Sequence, residues 1–231
     1  MKILTAAEMA EVDRLATDRH LMPSILLMEN AGRAFVEELL KFCPEAVGRR
    51  TAILCGGGNN GGDGCVVARY LATKGADPSL ILFSDPEKLK GDALTNWKIA
   101  GTMGFPVTVV KTPAEGVEYL NAMTPPDIII DALFGTGLAR PVGPDFGYIV
   151  EWVNRSASRA MIASVDIPSG IMADSPALCG PAVKAHLTVT FTALKLAHVV
   201  SPAADYAGKV VIAPIGTPPA LLENPRYMMN L

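Results

Sequence analysis

Residues 51–71 read TAILC-GGGNNGGDG-CVVARYL, and this stretch decides the fold. Thr51 to Cys55 is a short apolar run, the pattern of a strand buried on both faces of a parallel sheet. Cys65, Val66, Val67, Ala68, Tyr70 and Leu71 read as a helix running to Gly75. The link between them, Gly56 to Gly64, has glycine at five of its first seven positions. Its backbone is expected to take positive φ and to approach a ligand closely. The free amides and dipole of the helix that follows suit a phosphate group. No Lys-Ser/Thr follows the glycines, so this is not a Walker loop, and the spacing is not G-x-G-x-x-G. Two consecutive asparagines and Asp63 set it apart from a plain strand–helix turn.

The same alternation extends in both directions. Upstream, Thr5 and Glu8 form a T-x-x-E capping box ahead of Met9, Val12 and Leu15. Pro23 and Ser24 open a second helix ending near Cys43-Pro44. Downstream, strands are expected at 79–84, 107–110, 127–133, 161–165, 187–191 and 209–213. Helices are expected at 92–103, 114–122 and 147–155. Strands alternating with helices predict a single α/β domain over 1–231, a Rossmann-like αβα sandwich with a mostly parallel sheet. From about residue 214, Pro214, Pro218, Pro219 and Pro225 predict an irregular tail.

The chain has 231 residues, half of them hydrophobic, with formal net charge −3. The pI is about 5.6. No Lys/Arg cluster suggests a nucleic-acid or membrane surface, so an anionic ligand must be held mainly by backbone amides and helix ends. No apolar run approaches the roughly 20 residues of a membrane span, and the N-terminus is unlike a signal peptide. Cys43, Cys55, Cys65 and Cys179 form no C-x-x-C pair and read as buried free thiols. A cytoplasmic protein is expected.

Three loops fall at the carboxyl ends of their strands, where open α/β sheets bind ligands. Gly56–Gly64 is the first. The second is Asp131-Ala-Leu-Phe-Gly135-Thr-Gly-Leu-Ala-Arg140-Pro141, which offers a carboxylate at the end of an apolar strand, further backbone donors and a guanidinium. In the third, Ser164 to Gly170, Pro168 stiffens a turn that presents Asp166 and Ser169. Asn60, Asp131 and Ser169 together offer hard oxygen donors, suited to a hard cation and not to zinc. His20, His186 and His198 are isolated in sequence and read as surface or core residues; Lys195 is an open candidate for the site.

On GGGNNGGDG and SVDIPSG, with PSILLMENAGRA from Pro23, DALFGTGL before Arg140-Pro141, and TVTF before Lys195, the chain resembles the NAD(P)H-hydrate epimerase family, or YjeF N-terminal domain. The likeness runs from about Thr5 to Gly216. It implies a Rossmann-like sandwich, often a homodimer, that interconverts the R and S forms of NADHX and NADPHX, the hydrated nicotinamide nucleotides. An ATP- or ADP-dependent dehydratase, separate or fused, then restores the cofactor. By the same resemblance Asn59, Asn60, Gly61, Gly62, Asp63, Gly135, Thr136, Gly137, Leu138, Ala139, Arg140, Pro141 and Asp166 contact substrate, and Asn60, Asp131 and Ser169 hold potassium.

The hydroxyl of such a substrate sits beside the ring nitrogen, whose lone pair can expel it as water. Water returning to the other face inverts the centre. This needs an acid and a base, and Asp166 is expected to do both. Two other readings stay open. One is a non-catalytic nucleotide- or RNA-associated scaffold of the same fold. The other is a dehydrogenase, to which Asp85 lends only the right distance for a ribose-binding acid.

Overall fold

The computed structural model describes residues 2–223. Seven parallel strands form one sheet in the order β3-β2-β1-β4-β5-β6-β7. They are β1 (Thr51–Cys55), β2 (Pro78–Leu82), β3 (Val107–Val109), β4 (Ile128–Ala132), β5 (Met161–Val165), β6 (Leu187–Phe191) and β7 (Lys209–Ala213). Strand order reverses between β1 and β4, which pair from Thr51↔Ile128 to Cys55↔Ala132. The crevice at that switch point is where this architecture places ligands.

Side chains alternate between two layers, as the period of a strand demands. Ile53, Cys55, Leu80, Leu82, Ile128 and Ile130 join one core with helices α1 (Ala6–His20), α2 (Ser24–Phe42), α3 (Asn59–Thr73) and α4 (Gly91–Ala100). Ala52, Leu54, Ile81 and Ile129 join another with α5 (Pro113–Ala122) and α6 (Pro144–Ser156). The expected αβα sandwich is observed, and every strand pairing is parallel. Both elements of the Thr5–Glu8 capping box form at α1. α6 starts three residues earlier than its apolar pattern indicates, because Pro144 occupies its first turn, where a missing N–H costs nothing. In the proline-rich segment after 213 one short helix, α7 (Pro219–Leu222), forms; Pro225 lies outside the described residues.

The glycine link differs most from expectation. Only Gly56 to Gly58 is a turn; α3 begins at Asn59. None of the glycines from 56 to 64 has positive φ. They serve close packing instead. A Cβ on Gly61 would stand 1.9 Å from the Gly56 carbonyl oxygen, and one on Gly64 2.5 Å from Cys55 Sγ. Glycine's poor helix propensity is overridden because the helix must enter this close to the strand that feeds it.

One further expectation is corrected. Cys55 and Cys65 are buried, but Cys43 is half-buried and Cys179 is exposed; all four are free. His198 is a buried core histidine, as expected, and packs behind the site described next. No described helix is long and apolar enough to cross a membrane.

Candidate active site

A cleft of about 930 Å³ opens at the carboxyl edge of β1, β4, β5 and β6. Its walls are α1 and α2 on one side, Gly57 to Asn60 with Asp63 on another, and Leu133 to Arg140 on the third; Asp166 and Lys195 also line it. Of the residues expected to contact substrate, Asn59, Asn60, Asp63, Gly135 to Arg140 and Asp166 line this cleft. Gly61, Gly62 and Pro141 do not. Gly62 packs toward Met28 and Ala93, and a Cβ there would meet Met28 Sδ at 2.8 Å.

Gly135 is where the three loops meet. A Cβ on it would lie 2.8 Å from Asn60 Oδ1 and 3.3 Å from Asp166 Oδ2. Any other residue would push the second loop off the first and third.

Asp166 follows β5 with φ +65°, a left-handed conformation uncommon outside glycine, asparagine and aspartate. Its Oδ1 accepts from Lys195 Nζ at 2.7 Å and Thr190 Oγ1 at 3.0 Å, and its Oδ2 accepts from the Thr136 amide at 3.2 Å. Burial alone would raise this carboxyl. The Lys195 ammonium, by charge and by hydrogen bond, outweighs burial and holds Asp166 below the usual carboxylate value. Lys195 is only 1% exposed, and its ammonium also donates to Thr190 Oγ1 at 2.7 Å and to the Phe191 carbonyl at 3.3 Å. All three ammonium protons are therefore committed inside the protein.

His198 closes this arrangement from behind. Its Nδ1 accepts from the Lys195 amide at 3.1 Å, so Nε2 carries the proton and donates to the Asp166 carbonyl at 3.0 Å. Burial, helped by Lys195, pushes the imidazole down to about 4, so it stays neutral and structural.

Asp131 and Ser169 sit deeper. The Asp131 carboxylate, 0% exposed, accepts from Ser169 Oγ at 2.5 Å, the Ser169 amide at 2.8 Å and Ser164 Oγ at 2.9 Å. Ser169 Oγ also accepts from the Phe134 amide at 2.9 Å, tying the second loop to the third. Burial raises the Asp131 carboxyl, with the serine hydrogen bonds opposing. Among the described residues it forms no ion pair. Nearby, Asn60 Nδ2 is buried with no partner. The Asn60 side-chain carbonyl, the Asp131 carboxylate and the Ser169 hydroxyl are oxygen donors that fit a hard monovalent ion, whereas the free Asn60 amide group is a donor that fits a ligand's acceptor.

Two acids on the cleft wall carry further proton capacity. Asp63 is raised well above its usual value by burial, then by Asp166 and Asp13. Asp13, on α1, is pushed up to about 6 by burial, with Lys195 opposing and Asp166 reinforcing. Nothing in its neighbourhood MAEVDRL marks Asp13 out from the solvent-facing positions of α1. Lys195 was open from sequence, and His198 lacked any local signal.

The YjeF-related protein N-terminus family matches residues 24–197. The chain is 39% identical, over its full length, to the bifunctional NAD(P)H-hydrate repair enzyme Nnr of Moorella thermoacetica, of which it spans 43%. It is 36% identical to the NAD(P)H-hydrate epimerase of Rhodopirellula baltica, with 95% of this chain and 86% of that one covered. The crystal structure of yeast ynu0 superposes with TM-score 0.74 at 25% identity, covering 92% of this chain and 87% of the other. Fold, site geometry and relatives agree: the chain belongs to the YjeF-related protein N-terminus family.

Proposed function

We propose that this chain is an isomerase that interconverts the R and S epimers of NADHX and NADPHX. One observation carries the reading: an ionised, Lys195-paired Asp166 in a cleft of nucleotide size, beside the amides that open α3. Relatives of matching length bear the name NAD(P)H-hydrate epimerase, which supports the same substrate here.

Asp166 Oδ1 is taken by Lys195 and Thr190, and its Oδ2 shares the cleft with Gly135 and Thr136. A depressed carboxylate in that position is a base for the water that adds to the ring. The glycine turn and the Gly135–Arg140 segment orient the nucleotide, so that the ring meets Asp166 without a search. Asn60 through its side-chain carbonyl, Asp131 and Ser169 would hold potassium, which would supply the positive charge that buried Asp131 lacks.

The chain spans less than half of the bifunctional relatives, so its dehydratase partner is either a separate protein or a further domain. A homodimer and a cytoplasmic location complete the proposal, the latter supported by four unpaired cysteines.

The test is S/R-NADHX interconversion by the purified chain, starting from enriched R epimer and followed without net redox change. Asp166→Asn is expected to slow it by about 10²–10⁴-fold. A near-normal rate in that variant refutes the assignment.

A further inference from the structure

Asp166 as found here takes a proton but has none to give. It is ionised, and Lys195 has no proton free for substrate. Epimerisation through loss and return of water needs both a donor and an acceptor, so a base alone leaves the reaction half served.

A second carboxyl faces the same cleft. Asp13 lines it from α1, together with Met9 and Ala10. Its Oδ1 is buried and has no hydrogen-bond partner among the described residues. The placement is built into the chain. Ile3 pairs with Leu194 in a parallel bridge, and the Leu4 amide donates to the Leu194 carbonyl at 2.9 Å. α1 is thus registered against the residue that precedes Lys195. The charged groups facing Asp13 come from three other elements: Asp63 on α3, Asp166 after β5, and Lys195 after β6. Asp63 keeps its proton most firmly of the cleft acids; of the other two, Asp166 is paired with an ammonium and Asp13 is not, an arrangement that pushes their proton affinities apart. Burial lifts Asp13 to about 6, while the Lys195 pair keeps Asp166 low, so Asp13 can still carry a proton where Asp166 has lost its own.

We propose that Asp13 is the second catalytic carboxyl, giving the proton that turns the departing ring hydroxyl into water while Asp166 takes one from the water that replaces it. This rests on the epimerase reading. The bond between C6 and oxygen breaks with its electron pair going to oxygen, which leaves as water with the Asp13 proton. The ring-nitrogen lone pair forms the C6–N double bond. Water then forms a new C6–O bond on the other face, the double-bond electrons return to nitrogen, and the surplus proton passes to Asp166. The opposite epimer runs the sequence backwards and returns the proton to Asp13; between turnovers in one direction Asp166, held low by Lys195, gives its proton to solvent and Asp13 takes one back from solvent.

The experiment compares wild type, Asp13→Asn and Asp13→Glu in the NADHX interconversion assay across roughly pH 5 to 8.5, net of the rate without protein. Melting temperature and KM are measured alongside. Wild-type kcat is expected to fall as pH rises above about 6. Asp13→Asn, which removes an unpartnered buried carboxyl, should melt no lower than wild type at neutral pH. Its kcat should drop on the order of 100-fold with little change in KM, and the alkaline decline should vanish. Asp13→Glu should recover part of the rate. A folded Asp13→Asn with kcat within about threefold of wild type, or one that keeps the same decline, overturns the inference. So does a wild-type profile with no decline, which covers the case of an asparagine variant that fails to fold. A wild type without epimerase activity overturns the functional reading itself, whereas an active wild type with an active Asp13→Asn overturns only the role of Asp13.

Discussion

Replacing Lys195 by methionine keeps an unbranched side chain and removes the charge. The wild-type ammonium is 1% exposed and makes three hydrogen bonds, to Asp166 Oδ1 and Thr190 Oγ1 at 2.7 Å each and to the Phe191 carbonyl at 3.3 Å. The variant leaves Asp166 as a buried carboxylate without a cation, a loss that typically costs about 3–5 kcal/mol. Asp166 keeps its bonds from Thr190 and the Thr136 amide, which places the expectation at the lower end, about 3 kcal/mol. The pH dependence fixes the sign. In wild type the pair holds the carboxyl below its usual value, so its stabilisation is present above ordinary carboxylate titration and lost as pH falls through the lowered value. In the variant burial raises the same carboxyl, and stability is lost as pH rises through the raised value. The gap between the two proteins therefore widens from acid to neutral pH. Urea unfolding at about pH 4, 6 and 8, followed by tryptophan fluorescence, measures it, and about 3 kcal/mol corresponds to roughly 6–12 °C in Tm for a chain of this size. A gap under about 1 kcal/mol at pH 8, or one that narrows with rising pH, refutes the reasoning. Adding Asp166→Asn to Lys195→Met should restore most of the loss, because the orphaned charge is then gone.

Other consequences are as direct. Gly61→Ala would gain about 1 kcal/mol if helix propensity ruled, but its Cβ falls 1.9 Å from the Gly56 carbonyl, so a thermal melt should show a loss beyond the usual 1–3 kcal/mol of overpacking. Stabilisation by that variant would mean α3 does not enter so close to β1. Unfolding free energy should be higher in potassium chloride than in tetramethylammonium chloride, by about 2.7 kcal/mol at a hundredfold excess over Kd, with a higher melting temperature to match, and Asp131→Asn should abolish the difference. Equal melting in both salts would remove the cation from the site.

Much of this molecule was legible in its sequence because the signals are local. Apolar runs such as Thr51–Cys55 and Ile128–Ala132 mark strands buried on both faces, and a catalytic loop that follows a strand inherits the strand's direction. What escaped was set by tertiary contact. α3 starts at Asn59 despite its glycines because Gly56, Cys55 and Met28 leave no room for side chains, a fact invisible to propensity. Lys195 and His198 reach Asp166 across 29 and 32 residues, and no spacing rule links them. Asp13 reaches the cleft only because a bridge at Ile3 docks the N-terminal helix, and its burial converts an ordinary helical aspartate into an acid.

The side-chain charges of the cleft also bear on how a ligand arrives. Burial holds Asp63 and Asp13 toward their neutral forms and Asp166 is paired with Lys195, which leaves Asp92 and Arg140 as opposite charges on the cleft lining. A dinucleotide approaching this cleft finds little long-range attraction, so encounter should change little with ionic strength, unlike sites lined with basic residues. Recognition of a pyrophosphate then falls at short range to the backbone amides that open α3. On the epimerase reading, intact NADH and NADPH present the same phosphates to those amides, so discrimination falls to the ring end, where Asp166 and Asp13 line the cleft.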